Sequence, residues 1–324
     1  LLARAAPDDP RGLARELIAR STRLLATDPR AAERSAALAS DVLERFPVPQ
    51  PLPLRLAALL HRANALRTSE PSRAGRLLDT VESRLDAPAS APLRGDLHLL
   101  AALVRHDQGL TDSAASHLHS ALQAYAAADD PARLARLLVH VAAFLRSTGD
   151  LPGAVAVASY AVQTAESTGA TESLLPARHN LAAYLLDAGE SREAHHLLVD
   201  LLPLHRARPS PHALLRYRWL TARLASATGD LAGALSAYET LEADLRAARR
   251  FHEAALLLVE CARFLLDLHD PHRARALLLR LLELAPQLPA PRADELRRLL
   301  SRLKPGQPPS RLLLHRLTLV LRDA

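Results

Sequence analysis

The stretch Ala142-Ala143-Phe144-Leu145-Arg146-Ser147-Thr148-Gly149-Asp150-Leu151-Pro152-Gly153-Ala154 decides the fold. It holds an early small residue, an apolar ring residue, a Gly-Asp pair and a late small residue. Glycine tolerates the left-handed conformation that ends a helix, and aspartate accepts the free N–H groups that open the next one. The pair therefore closes a helix over 131–148, whose Leu137, Val141, Phe144 and Leu145 lie on a 3.6-residue stripe, and opens a second helix over 152–167.

The same arrangement recurs along the chain. Gly109, Gly149, Gly189 and Gly229 are spaced by 40 residues, as are Asp150, Glu190, Asp230 and Asp270. Two alanine series keep the same period: Ala102, Ala142, Ala182, Ala222 and Ala262, and Ala74, Ala114, Ala154, Ala194, Ala234 and Ala274. An apolar ring, Val104, Phe144, Tyr184, Leu224 and Phe264, runs beside them. In an alanine-rich chain one such series is weak evidence; the coincident glycine and acidic series make the repeat secure. Asp28-Pro29, Asp130-Pro131, Ser210-Pro211 and Asp270-Pro271 read as N-cap followed by a proline in the first helical position. Alternating β-branched runs are absent.

The pattern predicts an all-α chain, an α-solenoid of about seven antiparallel helix pairs over residues 10–286, each pair burying its apolar face on its neighbours. A tail (1–9) precedes it. A capping helix (290–304) and a Pro-rich linker with an apolar C-terminal segment (305–324) follow. Two irregularities stand out. Arg62 occupies an alanine position, and Pro203 falls inside a helix that it is expected to kink or end.

The repeat resembles the tetratricopeptide repeat (TPR), on the strength of Ala142/Ala154 and Ala222/Ala234, 12 residues apart, and the turns Thr148-Gly149-Asp150 and Thr228-Gly229-Asp230. The 40-residue period is longer than the usual 34. Together with His179-Asn180-Leu181-Ala182 and Arg218-Trp219-Leu220-Thr221-Ala222-Arg223 it is similar to long-helix bacterial TPR arrays, some of which sit behind a helix-turn-helix or signalling domain. The resemblance implies a right-handed superhelix that binds protein or peptide in a groove lined by the first helix of each pair, without catalysis.

Composition narrows the function further. The chain has 324 residues, 49% hydrophobic, and a net charge of +6 carried almost wholly by arginine. Aromatic residues are only 3%, which disfavours base stacking and hence nucleic acid as a partner. The single cysteine, Cys261, rules out an intrachain disulfide and reads as a core thiol on an apolar helix. His117/His119 and His195/His196 do not share a helix face, so no metal is expected. No phosphate loop, nucleophile elbow or His-Glu-x-x-His occurs, and no cofactor or catalytic residue is assigned. No apolar run spans a bilayer and no signal peptide is evident at Leu1, so a cytoplasmic protein is expected.

At 100° per residue, the arc opposite the core stripe of the first helices carries Leu99, Val139, His179, Trp219 and Val259 at its centre, flanked by His140, Asn180 and Glu260. The candidate partner-binding residues are His140, His179, Asn180, Arg216, Trp219, Arg223 and Arg263. Trp219 would be the apolar anchor, the arginines would pair with acidic groups of the partner, and His179 and Asn180 would hydrogen-bond its backbone. Alternatively, Trp219 fills a gap against a neighbouring helix. The expected partner is a protein or peptide, acidic in character. The C-terminal segment Arg311–Arg322 is read in four ways: a last helix packed on the array, a homodimerisation element, an arm that folds into the groove, or the start of a further domain. The leading functional expectation is a protein-interaction scaffold. The other is the peptide-sensing region of a bacterial signalling or transcription regulator whose effector domain lies outside this chain.

Overall fold

In a computed structural model the described residues are 9–25, 28–49, 52–67, 69–85, 91–207, 210–288, 290–303 and 307–322. The expected N-terminal tail, apart from Asp9, and Lys304-Pro305-Gly306 of the linker fall outside them. Among the described residues there are sixteen α-helices, one short 3-10 turn (Ala285–Gln287) and no strand. In chain order the helices are α1 (Pro10–Leu24), α2 (Pro29–Arg45), α3 (Leu52–Leu66), α4 (Pro71–Ser83), α5 (Ala91–Asp107), α6 (Thr111–Ala127), α7 (Pro131–Ser147) and α8 (Leu151–Ser167). They continue with α9 (Thr171–Ala188), α10 (Ser191–Ala207), α11 (Pro211–Thr228), α12 (Leu231–Ala247), α13 (Phe251–Asp267), α14 (Pro271–Leu284), α15 (Ala290–Leu300) and α16 (Arg311–Arg322). The chain divides into two compact units, residues 1–150 with 160–174, and 151–159 with 175–324.

The sequence period of 40 is two modules of 20. From α5 to α14 a helix begins every 20 residues, at 91, 111, 131 and so on to 271. A left-handed residue sits in the turns at 109, 129, 149, 169, 189, 229, 249 and 269. Five of these are glycine; Asp129, Arg249 and His269 hold the same conformation at φ of 48°, 57° and 59°. Each turn is locked by a bond from the N–H two or three residues beyond the helix back to a carbonyl in its last turn. Examples are Asp150 N to Leu145 O at 2.9 Å, Asp230 N to Ala225 O at 3.0 Å and Arg250 N to Leu245 O at 2.8 Å. At several turns the same residue then caps the next helix. The Asp130, Asp230 and Asp270 side chains accept from the N–H of Arg133, Gly233 and Arg273, each at 3.0 Å. Asp9, Asp28 and Ser210 cap α1, α2 and α11 in the same way.

Both alanine series are core: none of these alanines is more than 2% exposed. A methyl group is the largest side chain that lets two helix backbones approach so closely. In the first unit, α1, α2 and α3 share one apolar cluster around Ala14, Val42 and Leu43. Helices α3, α4 and α5 share a second around Leu56, Leu78 and Leu97, and α5, α6 and α7 a third around Leu118, Tyr125 and Leu137. In the second unit, α9, α10 and α11 meet around Leu198, Leu201 and Leu220. Helices α11 to α16 bury the largest cluster, which includes Tyr238, Phe264, Leu278, Leu296, Leu317 and Leu321. The C-terminal helix α16 thus packs against α13 and α15, and Arg311 pairs with Asp267 at 2.6 Å.

Two sequence expectations need correction. Pro203 neither ends nor interrupts its helix: α10 continues to Ala207, and α9 likewise contains Pro176. Each proline removes one i→i−4 hydrogen bond, but the burial of Leu198 and Leu201 just ahead of Pro203 holds α10 in place. At the other irregularity, α3 begins at Leu52, one residue late in the 20-residue frame. The small-residue position therefore falls on the buried Ala63, and Arg62 turns aside to pair with Glu33 at 3.3 Å.

Neighbouring odd-numbered helices carry polar rungs as well as apolar contacts. Arg67 at the end of α3 pairs with Asp107 of α5 at 2.8 Å. Asp96 of α5 accepts from the Tyr125 hydroxyl at 2.7 Å and from Arg136 of α7. The Tyr125 ring lies over Gly95, where an added Cβ would stand 2.3 Å from a ring carbon.

Two outcomes follow for stability. Asp129→Gly, Arg249→Gly and His269→Gly should each raise the thermal unfolding midpoint, corresponding to about 0.5–1 kcal/mol, because glycine relieves the left-handed strain. Gly95→Ala should lower it by about 1–3 kcal/mol, since Tyr125 must leave its rotamer. Differential scanning calorimetry of the variants checks both signs.

Candidate functional site

The second unit carries six of the seven candidate residues, on α9, α11 and α13. Glu260 of α13 is the hub. Its Oε1 accepts from the Trp219 indole N–H at 3.1 Å and from the Tyr238 hydroxyl at 3.0 Å, and it faces Arg223 Nε at 3.4 Å. Arg223 also pairs with Asp187 of α9 at 2.5 Å. Arg223 and Glu260 are largely covered, with side-chain exposures of 16% and 18%. Two turns before Arg223 on α11, Arg216 donates to the Asn180 side-chain oxygen on α9. Asn180 is buried.

Burial works against the Arg223 charge, yet the Glu260 and Asp187 carboxylates outweigh it and raise its pKa. Burial, reinforced by Glu260, likewise pushes the Tyr238 phenol up, so it remains a neutral donor. The Cys261 thiol next to Glu260 is pushed up to about 12 by burial, consistent with a core thiol.

Trp219 is half-buried and joins the apolar cluster of α11–α16. Its ring packs between helices, as the gap-filling reading expects, and its N–H is held by Glu260. His179 lies differently from the expectation. It is 2% exposed, and its Nε2 faces Nε2 of His205 on α10 at 3.2 Å. Its ring is therefore not offered to a partner. The physical reason is the register of the odd helices. Leu99, His179 and Val259, placed at the centre of the outward arc, are all buried. The more open line runs one step round the helix, through Arg136, His140 and Ala143 on α7 and through Glu260, Arg263 and Asp267 on α13.

Arg263 is exposed and makes no ion pair with any described residue. It stands one turn from Glu260 on the same face of α13. His140, on α7 in the first unit, is part-buried, and burial, aided by Arg136 and Arg67, lowers its pKa to about 4. The residues that sequence reasoning did not give a role are Asp187, Tyr238 and His205. The available signal was spacing: Asp187 and Glu260 lie about one period before and after Arg223.

Among the described residues no three His, Cys, Asp or Glu side chains are gathered as a ready metal site, and no helix is long and apolar enough to cross a membrane. The site combines an open cationic side chain, a partly open indole and a row of fixed polar groups on adjacent parallel elements.

These features define a helical-repeat protein of the TPR-like class, and solved structures agree. A Rap protein complexed with competence and sporulation factor superposes with a TM-score of 0.69 at 16% identity, covering 94% of this chain and 85% of its own. Aspartyl phosphate phosphatase F from Bacillus subtilis gives 0.67 at 14% identity, covering 84% and 70%. NprR in complex with its cognate peptide NprX gives 0.61 at 14%, covering 93% and 86%. At these identities the likeness establishes the fold. No protein-family profile matches the chain, and no curated protein matches it in sequence.

The buried imidazoles make a pH prediction. Burial, helped by Arg216, His205 and His212, takes the His179 pKa down to about 3 from the ordinary 6.5. Between those values the unfolded chain binds a proton that the folded chain does not, so stability is complete above pH 6.5 and is lost as pH falls below it. His179→Gln should flatten the dependence of the urea midpoint on pH between 6.5 and 4.5. An unchanged slope would show that His179 is not neutral in the folded state.

Proposed function

We propose that the chain is a non-catalytic interaction module that binds a peptide or an extended protein segment, of acidic character, along the open face of its odd-numbered helices. The observation that carries this reading is the alignment of Asn180, Arg216, Arg223, Trp219 and Arg263 on α9, α11 and α13 of one unit, in a fold whose neighbours include complexes with a signalling factor and a cognate peptide. Arg263 supplies the free charge for a partner carboxylate. Arg216 and Arg223 are held in position by Asn180, Asp187 and Glu260. Incoming acidic groups compete with Asp187 for Arg223, and the exposed edge of Trp219 offers apolar contact. His140 stands at the position of α7 that corresponds to Asn180 on α9, within the first unit. The module acts in the bacterial cytoplasm.

Trp219 and Arg223 are both bonded to Glu260, so removing them together costs stability as well as binding. Arg263 is the cleaner probe. Selection of a displayed random-peptide library on the full chain should enrich acidic peptides. Arg263→Glu should weaken the selected peptides by about tenfold or more, with an unchanged circular-dichroism melt. Equal affinity in Arg263→Glu and in Arg223→Gln would remove the site assignment.

A second reading is the sensing region of a regulator, in which the bound peptide is a signal and the response passes to an effector domain. It is favoured by the neighbours solved with competence and sporulation factor and with the cognate peptide NprX. Its mark would be a peptide-dependent change in hydrogen exchange at helices remote from α9, α11 and α13.

A further inference from the structure

Two histidines far from that face meet across helices. His98 of α5 and His117 of α6 point Nδ1 at Nδ1 across 3.2 Å, with ring centroids 5.5 Å apart. They share a cavity of about 30 Å³ with Asp79 and Glu82 of α4, which stand one helical turn apart. A space of that size holds a single ion or water. Neither carboxylate forms an ion pair or side-chain hydrogen bond with another described residue, and Glu82 acts electrostatically on both imidazoles. Arg94 and Arg105 oppose it, acting on His98 and His117 respectively.

The separation is informative. Two imidazole nitrogens bound tetrahedrally to one Zn2+ at roughly 2.0–2.1 Å lie roughly 3.3 Å apart. The His98–His117 pair is within about 0.1 Å of that figure without rearrangement. The pair His179–His205 has the same 3.2 Å separation but a different setting. Both of its rings are buried, the Tyr217 ring lies edge-on against His205, and the charged groups acting on His179 are cationic. That pair is a hydrogen bond in an apolar wall. The His98–His117 pair is half-open and faces two unengaged carboxylates.

We propose that His98 and His117 bind one divalent transition-metal ion of the Zn2+ type through their facing Nδ1 atoms, with the Glu82 carboxylate as third ligand and water completing the shell. The third ligand is not yet in place, since no three such groups are already gathered around one point. Glu82 is exposed on the last turn of α4 and reaches the ion by side-chain rotation. Asp79, one turn earlier, orients the bound water. The ion ties α4, α5 and α6 together within the first unit and stabilises it by binding the folded state alone. The sequence pattern concealed the site, because its ligands are 16 and 19 residues apart on three helices rather than on one face of a single helix.

The test uses the full chain without an affinity tag. Isothermal calorimetry with Zn2+ should show one ion per chain, and Co2+ substitution should give the visible d–d absorption of a four-coordinate site. Zn2+ should also raise the thermal midpoint. His98→Gln and His117→Gln should each weaken binding by about a hundredfold and Glu82→Gln by about tenfold, while the exposed His195→Gln leaves it unchanged. Circular dichroism confirms that the variants fold, and the Glu82 variant, altered at an exposed position, gives a reading even where the histidine variants are destabilised. Absence of stoichiometric binding, or binding that survives all three substitutions, overturns the proposal.

Discussion

The distance between helix backbones is the constraint on which the rest of this molecule depends. Alanine recurs at two fixed places in every 40 residues and is buried at each. With no side chain beyond a methyl group there, adjacent helices approach until the larger ring residues on either side interlock. That approach brings polar groups on alternate helices within hydrogen-bonding distance of one another. Arg67 reaches Asp107, Arg136 reaches Asp96, and Arg223 reaches Asp187 and Glu260 because the backbones beneath them are close. Larger residues at the alanine positions would part the helices and break these rungs before they emptied the core.

The turns work with this constraint. A helix of about 17 residues followed by a three-residue turn returns the chain after 20 residues, and the closing hydrogen bond is the same after α5 to α9 and after α11 to α13. The module tolerates Asp129, Arg249 and His269 in a conformation that suits glycine, because the closing bond, joined after Asp129 and His269 by the N-caps Asp130 and Asp270, over-determines the backbone. Stability is therefore distributed over many similar small terms, as expected of arrays whose elements contact mainly their neighbours.

The polar rungs have a second consequence. Arginines that could serve a partner are already held by Asn180, Asp187 and Glu260, so they are fixed before anything binds. Fixing a long side chain in advance lowers the entropy lost on association, at the cost of a competing internal bond. Arg263, with no such partner, has the opposite balance: a freely available charge that must be ordered on binding.

The all-α repeat, its period, the turn chemistry and the buried alanines were determined by the sequence, because each rests on local conformational preference or on burial that repeats at a fixed interval. The helix bearing Pro203 and the shifted frame at Ala63 were not, since packing from neighbouring helices overrode a local signal in both places. The candidate residues Arg216, Arg223 and Arg263 were legible as one helix face. That Trp219 and Arg223 share Glu260, that His179 turns inward to His205, and that His98 meets His117 was decided by tertiary structure alone. Those contacts depend on the rotation of each helix about its axis and on the spacing between helices, and one step of rotation, about 100°, separates a buried side chain from an open one.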